Sequence, residues 1–509
     1  MAQDFILKPG ILTLKDIENL LQSSRKLVLS EESYSIIRES RDIVEEIAAG
    51  ERTTYGINTG FGVLANKKIS KNELADLQKR LVLSHAVGLG KPLDDRTTKL
   101  VLLLKINSLA QGYSGVTVDL IDTLLDFYNN GLHPLIPAKG SVGASGDLAP
   151  LAHMAVALMG IGDVRVNGKI IPVEDALEDK LLTPVVLKAK EGLALLNGTQ
   201  VSTAIAIIGL IQVERNFSLA TIAGALSLDA VQASIVPFDE TIAKIKKGEG
   251  QERFSSEIRN LMDGSEIMSS HMNCSKVQDP YCMRCQPQVM GAVLDKIVEA
   301  EKHIMQEANG VSDNPIVLRK ERKILSGGNF HAESIAINAD ILSIVCSEIG
   351  AISERRIAMM VDNNISGLPH FLVQGAGLNS GFMIAHVTAA ALASENKTLS
   401  HPASVDSIPT SANQEDHVSM ATFAARKMNE VADNVLNILA IETLAACQGL
   451  DFRKPLNTSK NLKRYYDFIR SKISFYEEDR FFAADIEASA DILDMPAYYQ
   501  DIKRKFFNT

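Results

Sequence analysis

Four stretches of this 509-residue chain consist almost wholly of apolar and small residues: 199–236, 332–360, 380–394 and 417–447. Each is long enough for a helix of several turns. A helix that is apolar on most of its faces must be buried on most of them. One chain rarely covers several such helices, so the pattern predicts the centre of a helical bundle shared between subunits. The fold class expected is mainly α, a bundle of long helices. The alternating strand and helix signals of a doubly wound sheet are absent. Aromatic residues make up 5% of the chain and Trp is missing. Small and aliphatic side chains must therefore form the core, which suits packed helices better than an aromatic-rich sandwich.

Charge narrows the function. Lys+Arg 52 against Asp+Glu 62 leaves a net charge of −10. An acidic chain is a poor general binder of nucleic acid or anionic membrane. Five cysteines in 509 residues do not make a disulfide scaffold. The start, Met1-Ala2-Gln3-Asp4-Phe5, lacks a basic region followed by an apolar one. The apolar run 201–213 is broken by Glu214-Arg215, short of the roughly 20 residues that span a bilayer. A soluble cytoplasmic protein is the expectation.

Local signals place some elements. Ser30 is suited to cap a helix whose first turn holds Glu31 and Glu32, with Gly50 past its end. Ile36, Ile37, Ile43, Val44 and Ile47 fall on one face of it. Alternating apolar residues flank Asn167-Gly168, which predicts a β-hairpin with a type I′ turn as a small excursion. The character of the chain divides softly into an N-terminal helical region, 1–195, and a long-helix region, 196–509, within one continuous unit.

Several loops exceed what packing requires. Tyr55-Gly56-Ile57-Asn58-Thr59-Gly60-Phe61-Gly62 has three glycines. It is either a plain structural loop or one that presents Tyr55 to a site. A dinucleotide loop is disfavoured, because Ala65 stands where a glycine is needed and no strand precedes it. In Gly143-Ala144-Ser145-Gly146-Asp147-Leu148-Ala149-Pro150 the serine suggests a nucleophile, but Asp147 replaces the second glycine of a nucleophile elbow. Another chemistry is open to Ala144-Ser145-Gly146. In a sharp bend the Gly146 nitrogen attacks the Ala144 carbonyl carbon. Loss of two waters then leaves a five-membered ring with an exocyclic methylidene, a strong electrophile. Glycine leaves the attacking nitrogen unhindered, and alanine permits the tight turn.

Further on, Cys282 and Cys285 form a CxxC without a second pair for zinc or a βαβ context for redox chemistry. Arg284, between Pro280 and Pro287, suits bidentate carboxylate binding or a surface salt bridge. The loops Ser326 to Glu333 and Thr410 to His417 are polar or glycine-rich and lead into apolar helices. Capping accounts for part of each. His331 with Glu333, or Glu415, Asp416 and His417, hint at a metal, but no i, i+4 histidine pair supports it.

Taken together, these segments resemble the aromatic amino acid lyases, in their histidine ammonia-lyase branch. The likeness runs the length of the chain. It is carried by the Tyr55 and Ala144-Ser145-Gly146 loops, Leu83-Ser84-His85, Leu196-Asn197-Gly198-Thr199, Gln278 to Gln288, Ser326 to Glu333 and Asn413 to His417. The resemblance implies a 4-methylidene-imidazol-5-one group formed autocatalytically from Ala144, Ser145 and Gly146, with no external cofactor and no metal. It implies a homotetramer of the ammonia-lyase and aspartase-like helical type, with active sites assembled from three subunits. The substrate implied is L-histidine and the product trans-urocanate.

By motif match, Tyr55 resembles the base that takes the β-proton, and Arg284 the group that holds the carboxylate. Asn197 and Tyr281 would line the electrophile, with Gln278 beside them. His85 and Glu415 would contact the imidazole, and Phe330 would pack in the pocket. Cys282 departs from the serine of similar chains. The runner-up within the family is a tyrosine or phenylalanine ammonia-lyase or aminomutase; those carry His-Leu or Phe-Leu where this chain has Ser84-His85. The fumarase and aspartase group should show a GSSxMPxKxN loop, and the chain has none. A non-enzymatic helical scaffold would not need the tripeptide among these loops.

Overall fold

The computed structural model describes residues 4–50, 53–59, 73–271 and 277–507. Among them helix dominates: 21 α-helices, against strands of two to four residues in sheets of at most three. The mainly α expectation holds.

The local signals act as anticipated. Ser30 Oγ accepts the Ser33 N–H at 3.3 Å and starts the helix Glu31–Ala49. That helix ends at Gly50, whose N–H donates to Glu46 O and Ile47 O. Ile43 and Val44 bury against Ile57 and Val317 in one apolar cluster. Ile57 is thereby fixed, and with it the start of the loop that carries Tyr55. The hairpin pairs Asp163–Val166 with Lys169–Pro172. Asn167 and Gly168 turn it at φ +50° and +78°, both positive as a type I′ turn requires. A third strand, His133–Pro134, extends it and was not foreshadowed by the sequence.

The four apolar stretches form the helices Gln200–Ala230, Glu333–Val361, Met383–Leu399 and Ala421–Asp451. A fifth long helix, Gln286–Asn309, escaped the reading of apolar runs because it is amphipathic. Its buried Met290, Val293, Leu294, Ile297, Ala300 and Ile304 recur at helical spacing. The chain packs into two compact units, each drawn from three separate segments. One comprises 1–208, 302–340 and 402–426; the other 209–301, 341–401 and 427–509.

Burial corrects one expectation. Gln200–Ala230 was expected to need a second subunit for cover, yet 94% of its most apolar 18-residue window is buried within this chain. Its polar side chains also find partners at home: Asn216 Nδ2 donates to Ala432 O at 2.8 Å, and Ser227 Oγ to Glu442 Oε1 at 2.8 Å. Gly209 lets it approach closely, since a Cβ there would lie 2.2 Å from Met428 Cε. By length and composition this helix and Glu333–Val361 could each cross a membrane, but both are largely buried in the protein. Among the four apolar helices, exposed large apolar side chains are most numerous on Met383–Leu399, with Ile337 and Ile344 on Glu333–Val361 and Phe423 on Ala421–Asp451. Only Ala385, Ala389 and Asn396 of Met383–Leu399 are buried, while Met383, Ile384 and Val387 are exposed.

Candidate active site

The tripeptide Ala144-Ser145-Gly146 sits in an irregular turn just before the helix Leu148–Leu158. Its flanks are pinned on both sides. Gly143 O accepts from Ala332 N and from Ser419 Oγ, both at 3.1 Å, and Val142 O accepts from Met420 N at 2.8 Å. Gly146 has φ +75° and pairs with Gly198 in a short parallel bridge. A Cβ at Gly146 would lie 2.2 Å from the Gly198 carbonyl oxygen, so no other residue fits without displacing that backbone.

Beneath the turn lies a set of buried charges that sequence reasoning missed. Asp147 is fully buried. Its two oxygens accept from Ser141 Oγ, Thr422 Oγ1, Ser202 N and Ser202 Oγ at 2.7–2.9 Å. Its own N–H donates to Gly198 O at 2.8 Å. Lys105 is also fully buried and donates through Nζ to Asn197 O at 2.7 Å and Ala194 O at 3.2 Å. Burial lowers its pKa to about 7, opposed in part by Asp313 and Asp147 and assisted by Lys190. Lys190 itself pairs with Asp313 at 2.6 Å, both buried. The sequence carried one signal of this network, a lysine inside the apolar run Leu100 to Leu109.

Glu415 reaches the tripeptide from the loop before Ala421–Asp451. Ser145 Oγ donates to Glu415 Oε1 at 2.5 Å. Its Oε2 accepts from Thr410 Oγ1 at 2.8 Å and Ser411 Oγ at 3.0 Å. Asn197 lies at the junction of Leu196 and Gly198; its Nδ2 donates to Asn314 O at 2.8 Å. His85 ends the helix Leu74–His85, and its Nδ1 lies 2.8 Å from Leu81 O. That contact places the proton on Nδ1 and leaves Nε2 as an acceptor. Tyr55 and Phe330 are both half-buried. The Tyr55 turn depends on Gly56 at φ +75°, where a Cβ would meet Leu193 and Pro315 at 2.8 Å. Gly60, Phe61, Gly62 and Ala65 lie outside the described residues.

These groups, Tyr55, His85, the tripeptide, Asn197, Phe330 and Glu415, all belong to one compact unit. Gln278, Tyr281 and Arg284 belong to the other and form their own group. The Arg284 guanidinium lies 4.5 Å over the Tyr281 ring, and its Nε donates to Asp279 O at 3.1 Å. No described residue bonds its terminal amines, the fork that carboxylate binding requires. Gln278 and Arg284 line a cavity of about 400 Å³ with Ser234, Asp279, Cys285 and Gln288. Tyr281 is 69% exposed, unusual for so large a ring. Burial raises the Cys282 thiol pKa, which makes it a poor thiolate ligand. Cys346 and Cys447 are buried, with thiols pushed up to about 12 by desolvation.

A helical scaffold that pins an Ala-Ser-Gly turn against a carboxylate, without a histidine beside the serine, is the arrangement of a carbon–nitrogen lyase and not of a triad hydrolase. The model of the aromatic amino acid lyase family matches residues 12–471, and the chain belongs to that family. Histidine ammonia-lyase of Idiomarina loihiensis is 54% identical over 490 residues, 96% of each chain. That of Rhodospirillum rubrum is 54% identical over 495 residues, 97% of this chain and 96% of the other. Among solved structures, histidine ammonia-lyase from Trypanosoma cruzi aligns with a TM-score of 0.92 at 37% identity, covering 100% of this chain and 96% of that one. A tyrosine aminomutase from Streptomyces globisporus gives 0.91 at 33% identity over 97% of each chain. The shared backbone thus spans more than one substrate.

Proposed function

We propose that this protein is a histidine ammonia-lyase, removing ammonia from L-histidine to give trans-urocanate. The observation that carries the reading is 54% identity to histidine ammonia-lyases along 96% of the chain. The proposed electrophile is a 4-methylidene-imidazol-5-one formed from Ala144, Ser145 and Gly146. The residues suit such a ring. Only glycine fits at 146, and that leaves the ring-closing nitrogen free of a side chain. The Ser145 hydroxyl, which must leave as water, is already held by a carboxylate. Once formed, the ring supplies an electron-poor methylidene that makes the amino group a better leaving group.

The other roles fall to this chain's own side chains. Arg284 binds the substrate carboxylate through its terminal amines, which no described residue bonds. Tyr55 accepts the β-proton. Asn197 and Tyr281 line the electrophile, with Gln278 beside them. His85 and Glu415 pair with the imidazole nitrogens, and Phe330 packs on the ring. We further propose a homotetramer in which the Arg284 group and the tripeptide group of different subunits form each site. The exposed apolar face of Met383–Leu399 supports such association. The proposed location is cytoplasmic. Mixing the purified protein with L-histidine and following urocanate absorbance tests the activity directly; absence of urocanate from a correctly assembled, cyclised protein refutes it.

A further inference from the structure

His331 and Glu333 lie where the helix Glu333–Val361 begins, and His417 lies on the loop before Ala421–Asp451. No helical histidine pair marks them in the sequence, yet folding brings the three together. One ligating atom of each lies within 4.8 Å of the other two. His417 Nδ1 is 3.5 Å from His331 Nε2, and His331 Nδ1 is 3.9 Å from Glu333 Oε2. The two imidazole rings stand 5.5 Å apart.

The hydrogen bonding of this cluster does not close on itself. Glu333 Oε2 is shielded from solvent and accepts no hydrogen bond from any described residue. His331 Nε2 lies 3.2 Å from His417 O, so a neutral ring with its proton there donates to that carbonyl. Its Nδ1 is then a bare lone pair aimed at a second bare acceptor 3.9 Å away. With the proton on Nδ1 instead, Nε2 faces His417 Nδ1 and the carbonyl oxygen with no hydrogen of its own to offer. A neutral His331 ring leaves either Glu333 Oε2 or the His417 carbonyl facing a lone pair; a second ring proton or a bound cation satisfies both.

We propose that His331, Glu333 and His417 form a binding site for a divalent first-row transition-metal cation of the Zn²⁺ type. Two imidazoles and one carboxylate are the donor set such ions take. Ligand atoms about 2.1 Å from a tetrahedral ion lie roughly 3.4 Å apart. With one nitrogen taken from each ring, the three ligand atoms lie within 4.8 Å of one another, and side-chain rotation must close that gap. His331 and His417 are partly accessible and give the ion an entry. The site is not part of the elimination chemistry. Its two loops do bond the flank of the tripeptide, through Ala332 N to Gly143 O and Met420 N to Val142 O. A bound ion would tie those loops to each other, next to Phe330 on one and Glu415 on the other.

Binding, not turnover, tests this, so the result stands apart from the lyase reading. Co²⁺ titrated into the full-length protein should give visible d–d absorption that saturates at one equivalent per chain. It should lack the intense near-ultraviolet charge-transfer band that ligation by Cys282 or Cys285 would produce. Glu333→Gln keeps the size of the side chain and should weaken the site by about tenfold or more. His331→Ala combined with His417→Ala should remove it. No Co²⁺ binding, a thiolate band instead, or unchanged affinity in Glu333→Gln and in the double variant each overturns the proposal.

Discussion

Ser145 donates its hydroxyl hydrogen to Glu415 Oε1 across 2.5 Å, although the two residues are 270 positions apart in the chain. Thr410 and Ser411 hold the other oxygen of the same carboxylate. Glu415 is therefore oriented before any substrate arrives. In the proposed maturation it meets the hydroxyl that departs; in the proposed reaction it meets the substrate ring. One acidic side chain thus links formation of the electrophile to recognition of what the electrophile attacks.

The first prediction follows from that link. The peptide containing Ser145 should weigh two waters less than its sequence when isolated from active enzyme. Ser145→Ala cannot form the methylidene and should lose activity while keeping its helical circular dichroism. Mass spectrometry of the digested protein settles it: an unmodified peptide from fully active enzyme is incompatible with the ring.

Gly146→Ala tests the geometry of the turn. The added Cβ would sit 2.2 Å from Gly198 O, at a φ of +75° that costs an L-residue about 1–2 kcal/mol before any clash. The Gly146–Gly198 bridge must open, and the ring-closing nitrogen moves with it. We expect a folded protein of lowered Tm that retains the full peptide mass at Ser145. Normal water loss in this variant would show that the close approach to Gly198 is not needed for closure.

The candidate loop residues stood out because packing did not explain them: Tyr55 among glycines, Ala-Ser-Gly before a helix, Arg284 between prolines. The long helices were legible from composition alone. Two things were not. Asp147 looked like a broken nucleophile elbow, because its four donors come from Ser141, Ser202 and Thr422, far apart in sequence. The burial of Gln200–Ala230 was assigned to a second subunit, because an apolar run shows how much surface needs cover and not which helix supplies it. The helix Met383–Leu399 is the shortest of the four apolar helices and keeps Met383, Ile384 and Val387 exposed.

Lys105 makes stability depend on pH in a definite direction. Its folded pKa, lowered to about 7 by burial, lies below the ordinary lysine value of about 10.4. Between those values the unfolded chain binds the proton and the folded one gives it up, so this group's contribution to stability rises with pH. It falls as pH drops from about 10 to about 7 and is level below that. Lys105→Met should flatten this slope relative to wild type in denaturant unfolding at a series of pH values. It should also loosen Asn197, whose carbonyl loses the 2.7 Å bond. Parallel curves for the two proteins would mean that Lys105 keeps its charge on folding.

The proposed assembly draws on the exposed apolar face of the helix Met383–Leu399. Ile384 and Val387 are 60% and 55% exposed, large apolar groups left in water in a single chain. Burying such a face between subunits is favourable. Light scattering should give the mass of four chains, and Ile384→Asp with Val387→Asp should lower it and abolish activity together. A fully active monomer at assay concentration rules out sites built from several chains.

Substrate choice is the proposed difference between this chain and tyrosine or phenylalanine enzymes on the same backbone. His85 Nε2 and the Glu415 carboxylate both accept, so together they pair with a substrate ring that carries N–H on both nitrogens; a phenyl ring offers no donor. His85 commits Nδ1 to Leu81 O, so its Nε2 accepts. Glu415 accepts through a carboxylate already oriented by two hydroxyls. A phenyl ring in their place leaves both groups unpaired, at about 1–3 kcal/mol each. Sites built on such bonds reject the analogue lacking them by factors on the order of 10⁴ or more. L-histidine should therefore exceed L-phenylalanine and L-tyrosine in kcat/KM by about that margin. Glu415→Gln and His85→Leu should each narrow it, mainly by reducing turnover of histidine. If wild type converts tyrosine or phenylalanine as well as histidine, the assignment of His85 and Glu415 to the imidazole fails, whatever the mass of the Ser145 peptide.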